Sequence, residues 1–398
     1  MKVKGNHFET IWINGDHNNL VQIIDQRYLP FTFRIEDITS AEEMFIAIRD
    51  MHLRGAPLIG AAGALGMYLA VLECSGNFVS ENYIQDKASY LKSARPTAVN
   101  LAWAVNRVAE AIKELRPEEV RPKVLRPKGI RPKGVRPKEE RPEGLWLKTA
   151  VVATARQVAL QIIDEERTNC LRIGQHGLKI IEELSKFKNG DTVNILTHCN
   201  AGWLACIDYG TATAPIYLAH DKGIKVHVWV DETRPRNQGA RLTAWELQQH
   251  GVPCTVIADN AGGHLMQQGL VDVVIVGSDR ASSYGDIVNK IGTYLKALAA
   301  RDNHIPFYAA LPSSTIDWDL SKGALETPIE ERDGDELRFV QGVTDRGISV
   351  VEIIPAATAV VNYAFDITPA RLVTGIITER GISLANKKSI FTLFPEKT

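Results

Sequence analysis

Cysteine is scarce in this chain, and its placement fits neither a disulfide framework nor a zinc site. The 398-residue sequence contains an odd number of cysteines, widely spaced and without a CxxC pair: Cys74, Cys170, Cys199, Cys206 and Cys254. This usage is typical of reduced thiols and predicts a cytoplasmic protein. GxGxxG, Walker A and HExxH motifs are also absent, which excludes the common signatures of dinucleotide, nucleoside-triphosphate and zinc enzymes. No metal or redox cofactor is therefore expected.

The chain also lacks a strong charge of one sign. Its formal net charge is −1, so no general attraction to nucleic acid or to a membrane surface is expected. Long apolar runs are few, and no transmembrane helix is expected. Residues 1–7 have no apolar segment behind them that would make a secretory signal. With 45% hydrophobic and 23% charged residues, the composition is that of an ordinary globular protein.

From Asp191 onward, short runs rich in β-branched residues alternate with helical stretches. Strands are predicted at 193–197, 225–230, 255–258, 273–276, 306–310 and 349–354. Helices are predicted between them, including one from about Ile287 to Ala300. Such alternation indicates βαβ units and a parallel sheet. The prediction is an α/β protein whose residues 151–398 form a Rossmann-like, doubly wound domain.

Residues 1–150 predict a smaller, mainly helical N-terminal domain. Apolar residues at helical spacing predict helices at 57–71 and 96–115. A turn signal at Asn14-Gly15-Asp16 predicts an initial β-hairpin.

An Arg-Pro repeat occupies residues 116–145, in six copies of a five-residue unit. Each proline removes a backbone donor and disfavours helix, and apolar residues are few, so an extended, disordered loop is predicted. The segment is interpreted either as a basic arm for an acidic partner or as an expanded repeat inserted in a surface loop. Tolerance of loops to insertion favours the second interpretation.

Two predicted strands end in reactive side chains. Cys199 follows the strand at 193–197, and Asp279 follows the strand at 273–276. In a parallel α/β sheet the carboxyl ends of the strands form the ligand crevice, so the two make a candidate catalytic pair. A helix start after Cys199 would lower its thiol pKa, although a buried cysteine is as often inert. A partly buried Asp279 could act as a general acid or could simply pair with Arg280.

His198 is a further candidate base beside Cys199. Neighbouring residues on a strand point to opposite faces, so only one of these two side chains is expected to face the ligand.

Several loops carry groups suited to an anion. Arg54-Gly55-Ala56 and Arg95 each precede a predicted helix, where backbone N–H groups and the helix dipole favour negative charge. Gln238, Asn289 and Lys290 stand beside other predicted helix starts. Each signal is weak alone, because arginines at helix starts are usually solvated. Together they would form a phosphate cradle.

The ordered motifs of the chain resemble those of the methylthioribose-1-phosphate isomerase family of methionine salvage. The matching stretches are Arg54–Pro57, Arg95–Asn100, Thr197–Gly202, Asp231–Pro235, Gln238–Leu247, Asn289–Tyr294, Pro312–Thr315 and Asn362–Pro369. The chain departs from the family pattern at Ser278, at Ser283-Tyr284 and in the Arg-Pro repeat, which that pattern lacks.

The resemblance implies a homodimeric isomerase that needs no cofactor and acts on a sugar phosphate. It implies that Asp279 is the proton donor and Cys199 the second catalytic residue. The same resemblance assigns phosphate contacts to Arg54, Gly55, Ala56, Arg95, Gln238, Asn289 and Lys290. Two alternatives remain: a sister isomerase of 5-deoxyribose 1-phosphate or ribose 1,5-bisphosphate, and a non-catalytic regulatory subunit of the initiation factor 2B type, which has the same fold.

Overall fold

The computed structural model describes residues 1–15, 17, 19–115, 144–320 and 329–397. The loop predicted for the Arg-Pro repeat lies, apart from its last two residues, outside the described residues.

The N-terminal residues form short antiparallel strands. The first pair is β1 (Lys2–Val3) and β2 (Asn6–His7), and a three-stranded sheet follows, made of β3 (Ile11–Ile13), β4 (Val21–Ile24) and β5 (Ile35–Ile38). Ile13 pairs with Val21, so the chain reverses at the predicted turn. The inward-facing isoleucines of this sheet pack on the helices that come next.

A helical layer follows the small sheet. It contains α1 (Ala41–Arg49), α2 (Ala56–Glu73), the short strand β6 (Phe78–Ser80), α3 (Glu81–Lys92) and α4 (Val99–Lys113). Helix α2 lies at its centre, where small residues allow α4 to approach closely. A Cβ on Gly60 would lie 3.1 Å from the carbonyl oxygen of Asn100.

Helix α2 is also long and apolar enough to cross a membrane, contrary to the expectation from sequence that no run reaches this length. The fold buries 89% of this 18-residue window, as expected of a core helix in a globular protein.

One long helix joins the two halves of the fold. After β7 (Leu145–Leu147), α5 runs over 40 residues from Lys148 to Phe187. Val151 and Ile162 pack in the core of the helical layer, whereas Ile173 and Ile181 pack in the core beneath the large sheet. Because α5 contributes to both cores, the division into domains 1–150 and 151–398 stays a prediction.

The second half alternates strand and helix. In chain order its first elements are β8 (Val193–Thr197), α6 (Ala214–Asp221), β9 (Val226–Asp231), α7 (Ala244–His250), β10 (Cys254–Ile257), α8 (Gly262–Gln267) and β11 (Val273–Val276). There follow β12 (Arg280–Ser282), β13 (Ile287–Lys290), α9 (Thr293–Asp302), β14 (Phe307–Ala310), β15 (Ile316–Asp317), β16 (Glu331–Arg332), α10 (Asp335–Arg338), β17 (Phe339–Thr344) and β18 (Gly347–Glu352). The last are β19 (Asn362–Tyr363), β20 (Phe365–Thr368), β21 (Gly375–Thr378), β22 (Gly381–Ser383) and α11 (Lys387–Leu393).

Seven of these strands form the main sheet, in the order β10-β9-β8-β11-β14-β21-β22. All neighbours are parallel except β22, which is antiparallel to β21. The predicted α/β class with a parallel sheet is therefore confirmed. The chain proceeds from β8 in one direction to β9 and β10, and later returns to the other side of β8 at β11. This reversal is a topological switch point, the place where doubly wound sheets bind ligands.

Three local predictions are wrong. Residues 287–290 form strand β13 instead of the start of a helix, and the helix begins only at Thr293. Residues 349–354 were assigned to the sheet, but β18 pairs only with β17 in a separate hairpin. Strand β21 belongs to the main sheet, although no strand was predicted at its residues. Sequence periodicity does not distinguish a strand in a side sheet from one in the main sheet.

Candidate active site

A cavity of about 600 Å³ lies at the carboxyl ends of β8 and β11, beneath the start of α2. The structure brings together there every residue predicted for the site. They are Arg54, Gly55, Ala56, Arg95, Cys199, Gln238, Asp279, Asn289 and Lys290. The fold thus collects residues from six separate stretches of chain around one cavity.

Cys199 enters the cavity on a backbone turn directly after β8. Its φ of 65° is left-handed, and its N–H donates to Thr233 Oγ1 at 2.8 Å. The Sγ atom donates to Gln238 Oε1 at 3.1 Å. Burial raises the pKa of this thiol, although the positive charges of Arg54 and Lys290 oppose that effect. The expected lowering of the pKa is wrong, because desolvation outweighs the neighbouring cations.

His198 does not line the cavity, so of the two neighbours only Cys199 faces it, as predicted. Strand β8 ends at Thr197, so strand alternation is not the reason. Its ring is fully buried, with Nδ1 2.8 Å from Asp231 Oδ2 and Nε2 2.9 Å from the carbonyl oxygen of Ile291. The Ile291 carbonyl follows Lys290 directly, so this histidine connects the Cys199 turn to the strand that carries Lys290. Its position is that of a structural brace rather than of a base acting on a ligand in the cavity.

His198, Asp231 and Asp259 have ligand atoms within 4.8 Å of one another, a spacing that would suit a metal ion. Lys296 already supplies a cation to this group. Its Nζ lies 3.2 Å from Asp231 Oδ2 and also donates to the backbone oxygen of Asp259. An ammonium group at this point favours a buried ion network over a metal centre.

Asp279 follows β11 at the border of the cavity. Its N–H donates to the carbonyl oxygen of Val288 at 2.9 Å, which ties the loop to β13. The carboxyl lines the cavity and is half-buried, and burial raises its pKa against the opposing charges of Lys290, Arg95 and Arg54. Arg280 is engaged elsewhere, since its Nη2 donates to the carbonyl oxygen of Thr97 at 2.8 Å.

Arg54 is held by Asn200. Its Nη1 donates to the Asn200 backbone oxygen at 2.7 Å, and its Nη2 donates to Asn200 Oδ1. Asn200 is itself held by Glu246, which accepts from Nδ2 at 2.8 Å. Burial raises the pKa of Glu246 to about 8. The Arg54 Nε is buried and has no hydrogen-bond partner among the described residues.

Arg95 has a carboxylate partner that the sequence analysis missed. Its Nη2 donates to Glu330 Oε2 at 2.8 Å, while its buried Nε finds no partner in the described part of the chain. Glu330 stands far from Arg95 in sequence and outside every quoted motif that surrounds the site. No pattern in the sequence could have paired the two residues.

Asn289 and Lys290 end strand β13 and are both buried. Asn289 Nδ2 donates to Thr293 Oγ1 at 3.1 Å, and Lys290 Nζ lies 4.8 Å from the centre of the Phe365 ring. Burial lowers the pKa of Lys290, whereas the charges of Cys199 and Asp279 would raise it. The same strand therefore supplies an amide and a partly desolvated ammonium.

A second cavity of about 490 Å³ adjoins the first and shares Gly55, Ala56, Arg95, Asp279 and Phe365 with it. Its other walls include the apolar side chains Ile59, Ala98, Val99 and Val288. Asp279 thus stands between a polar cavity rich in cations and a more apolar one.

Comparisons with known proteins identify relatives along the length of this chain. The Initiation factor 2 subunit family matches residues 52–384. A methylthioribose-1-phosphate isomerase of Desulfatibacillum aliphaticivorans is 53% identical over 397 residues, which cover 100% of both chains. The chain belongs to the methylthioribose-1-phosphate isomerase family.

Solved structures agree with the family assignment. The crystal structure of 5-methylthioribose 1-phosphate isomerase from Pyrococcus horikoshii OT3 has a TM-score of 0.77 and 37% identity, covering 98% of this chain and 97% of that one. The translation initiation factor eIF-2B, subunit delta, from A. fulgidus has a TM-score of 0.73 and 31% identity, covering 98% and 100%. The fold is therefore common to proteins with both names.

Two departures from the family motifs are accommodated locally. Ser278 Oγ donates to the carbonyl oxygen of Arg280 at 2.7 Å, so the added hydroxyl is satisfied within the loop. Tyr284 packs its ring 4.9 Å from Lys387 Nζ. Tyr284 does not line either cavity.

Proposed function

We propose that this chain converts 5-methylthioribose 1-phosphate into 5-methylthioribulose 1-phosphate in methionine salvage. The observation that carries the proposal is the meeting of Cys199 and Asp279 in one cavity with three cationic side chains, Arg54, Arg95 and Lys290. Membership of the isomerase family supports the same reaction.

The chemistry of the substrate explains the need for an acid. In an aldose 1-phosphate the anomeric oxygen is esterified, so the ring cannot open to a free aldehyde. The enzyme must protonate the ring oxygen while hydrogen moves from C2 to C1. Asp279 suits this task, because burial raises the pKa of its carboxyl and favours the protonated form.

Cys199 has two possible roles. It could remove the C2 proton on an enediol route, or it could stabilise charge during a direct C2-to-C1 hydride shift. Its raised pKa keeps it a thiol, and its Sγ already donates to Gln238. A thiol is a poor base, so these contacts favour the hydride shift.

The phosphate is proposed to bind Arg54, Gly55, Ala56, Arg95, Gln238, Asn289 and Lys290. The positions of Arg54, Arg95 and Lys290 support this assignment, since all three are cationic side chains that line the cavity. Gly55 and Ala56 add backbone N–H groups at the amino end of α2, where the helix dipole favours an anion.

The second cavity suits the substituent at C5. The ring oxygen bonds C1 and C4, and C5 is attached to C4, so a ring oxygen at Asp279 places C5 beside the wall that Asp279 shares with this cavity. The apolar side chains there favour a methylthio group. The alternatives are 5-deoxyribose 1-phosphate, which would fill less of the cavity, and ribose 1,5-bisphosphate, which would need further free cations.

A regulatory role is the non-enzymatic alternative, given the likeness to eIF-2B subunit delta. A binding subunit has no need for a buried carboxyl and a thiol in one cavity. The constellation of Cys199, Asp279 and Lys290 therefore favours catalysis.

We further propose a cytoplasmic homodimer that acts without metal or redox cofactor and does not bind nucleic acid or membrane. All five cysteines are free thiols, in keeping with a reducing compartment. Light scattering checks the dimer against the 44.0 kDa mass of one chain.

The deciding experiment assays the purified protein on the three sugar phosphates. Formation of the ketose 1-phosphate is measured as kcat/KM for each substrate, with inorganic phosphate as a competitor. We expect 5-methylthioribose 1-phosphate to have the highest value. Failure to convert any of the three substrates would overturn the assignment as an isomerase.

A further inference from the structure

The carboxylate of Glu330 accepts a hydrogen bond from Arg95 and is not one of the proposed phosphate contacts. Glu330 Oε2 accepts from Arg95 Nη2 at 2.8 Å and from Thr97 Oγ1 at 3.2 Å, and Oε1 accepts from Arg332 Nη1 at 2.9 Å. Only 17% of the Glu330 side chain is exposed. Arg95 and Thr97 are both wall residues of the second cavity, so Glu330 lies directly behind that wall.

Glu330 is charged in this position. Burial alone would raise its pKa, but the attraction of Arg95 and hydrogen bonds from Arg95 and Arg332 outweigh it, and the pKa is lowered. Its negative charge also acts on Asp279, where it adds to the raised pKa of that carboxyl. The negative charge of Glu330 therefore influences Asp279, which lines both cavities.

The other charged groups of the second cavity offer no free cation. Arg280 donates to the Thr97 carbonyl oxygen and lies 3.7 Å from Asp317, and Asp279 is an acid. Among the described residues that line this cavity, Arg95 is the one remaining cation, and its Nη2 is already paired with Glu330.

We propose that Glu330 is a specificity-determining residue, which neutralises Arg95 and so excludes a second phosphate from the cavity that receives the C5 substituent. An aldose 1-phosphate with an uncharged C5 substituent is accepted, because the apolar walls need no counter-charge. A substrate with a phosphate on C5 would place a dianion near the Glu330 carboxylate, and no described residue that lines the cavity offers an unpaired cation to balance it. Such repulsion against the wrong ligand is a common source of discrimination.

This inference rests on the proposed isomerase function, and the test separates the two. The kcat/KM for ribose 1,5-bisphosphate and for 5-methylthioribose 1-phosphate is measured in the wild type, Glu330→Gln and Glu331→Gln. Glu331 is the exposed neighbour and makes a matched control. In Glu330→Gln we expect the ratio of bisphosphate to methylthio activity to rise by at least about tenfold, because a like-charge contact is removed. In Glu331→Gln the ratio should stay at the wild-type value.

The ratio cancels any general effect on Asp279, since both substrates need the same acid. Glu330→Asp, which keeps the charge, is expected to keep most of the discrimination and guards against a folding defect specific to glutamine. An unchanged ratio in Glu330→Gln would overturn the role of the charge while leaving the isomerase assignment intact. An equal loss of discrimination in Glu330→Gln and Glu330→Asp would do the same. A wild type that already prefers the bisphosphate would overturn it too. A wild type without activity on either substrate would contradict the proposed function itself.

Discussion

Cys199 and Asp279 share one electrostatic property, since burial raises the pKa of each. For an acid this is useful, because a raised pKa favours the protonated form of the carboxyl. For a thiol, a raised pKa disfavours the thiolate form. We therefore expect Cys199 to act as a polar group beside the substrate more than as a base. The cations Arg54 and Lys290 moderate both shifts without reversing them.

Replacement of either residue should remove most of the activity. Asp279→Asn cannot donate a proton, and Cys199→Ser or Ala changes the group next to C2, so we expect kcat to fall by at least about 10²-fold in each case. Steady-state kinetics on 5-methylthioribose 1-phosphate measures the loss. Cys254→Ser and Asp302→Asn are matched controls, because neither residue lines the site cavities. Near-normal turnover in a folded variant would remove that residue from the mechanism.

The raised pKa of Glu166 makes the stability of the fold depend on pH. It lies buried in α5, where Oε1 accepts from Ser314 Oγ at 2.7 Å, and burial raises its pKa to about 8 from an ordinary 4.5. Between these values the folded state holds a proton that the unfolded state has lost. The stabilisation of the fold by protonated Glu166 is therefore fully present below pH 4.5 and is lost as the pH rises to about 8.

Glu166→Gln should reduce the pH dependence of stability. We expect the free energy of unfolding of the wild type to include a decrease of up to about 1.4 kcal/mol per pH unit from this group, which the variant lacks. Urea titrations at several pH values between 5 and 9 measure the difference. Glu165→Gln is the control, because Arg107 lowers the pKa of Glu165 and keeps it charged throughout this range. Equal slopes for wild type and Glu166→Gln would show that Glu166 does not titrate there.

At the scale of elements, the turn into α2 depends on a glycine. Gly55 has a φ of 106°, and a Cβ at this position would lie 2.5 Å from the Cα of Ala205. The turn places Arg54 on one side and the amino end of α2 on the other. Both conditions, the left-handed backbone and the lack of space, require glycine.

Gly55→Ala should therefore displace the phosphate-binding loop. We expect kcat/KM to fall by at least about tenfold, since small misplacements of binding groups are costly to catalysis. Gly76→Ala is a matched control, because Gly76 also has a positive φ (79°) but has open space around its Cα. Equal effects of the two substitutions on activity would show that the contact with Ala205 is unimportant.

The strands and helices also show which parts of the fold sequence patterns can predict. The run of Val273–Val276 predicts β11 to the residue, because a strand covered on both faces is continuously apolar. The same logic failed at Ile287–Lys290, where a buried strand was taken for a helix start. The candidate site residues were predicted near strand ends or helix starts, and the structure gathers them around one cavity. Glu330 could not, since its partnership with Arg95 depends on tertiary packing alone.

At the scale of the whole molecule, described residues near both ends of the Arg-Pro repeat contact Glu81. Lys113, near the end of α4, places its Nζ 3.0 Å from Glu81 Oε1. The N–H of the same Glu81 donates to the carbonyl oxygen of Gly144 at 2.8 Å. The chain thus leaves the described fold and re-enters it beside one residue, and β7 then pairs with β6.

A short connection should therefore serve as well as the repeat. Replacing residues 116–143 with a brief Gly-Ser linker is expected to leave the melting temperature and kcat/KM nearly unchanged. The ends already meet at Glu81, and each halving of a flexible loop changes its closure free energy by only about 0.6 kcal/mol. Differential scanning calorimetry and steady-state kinetics on the full-length protein and the linker variant make the comparison. A linker variant that folds normally but loses activity would show that the repeat contacts the active site or the partner subunit, and would revive its interpretation as a functional arm.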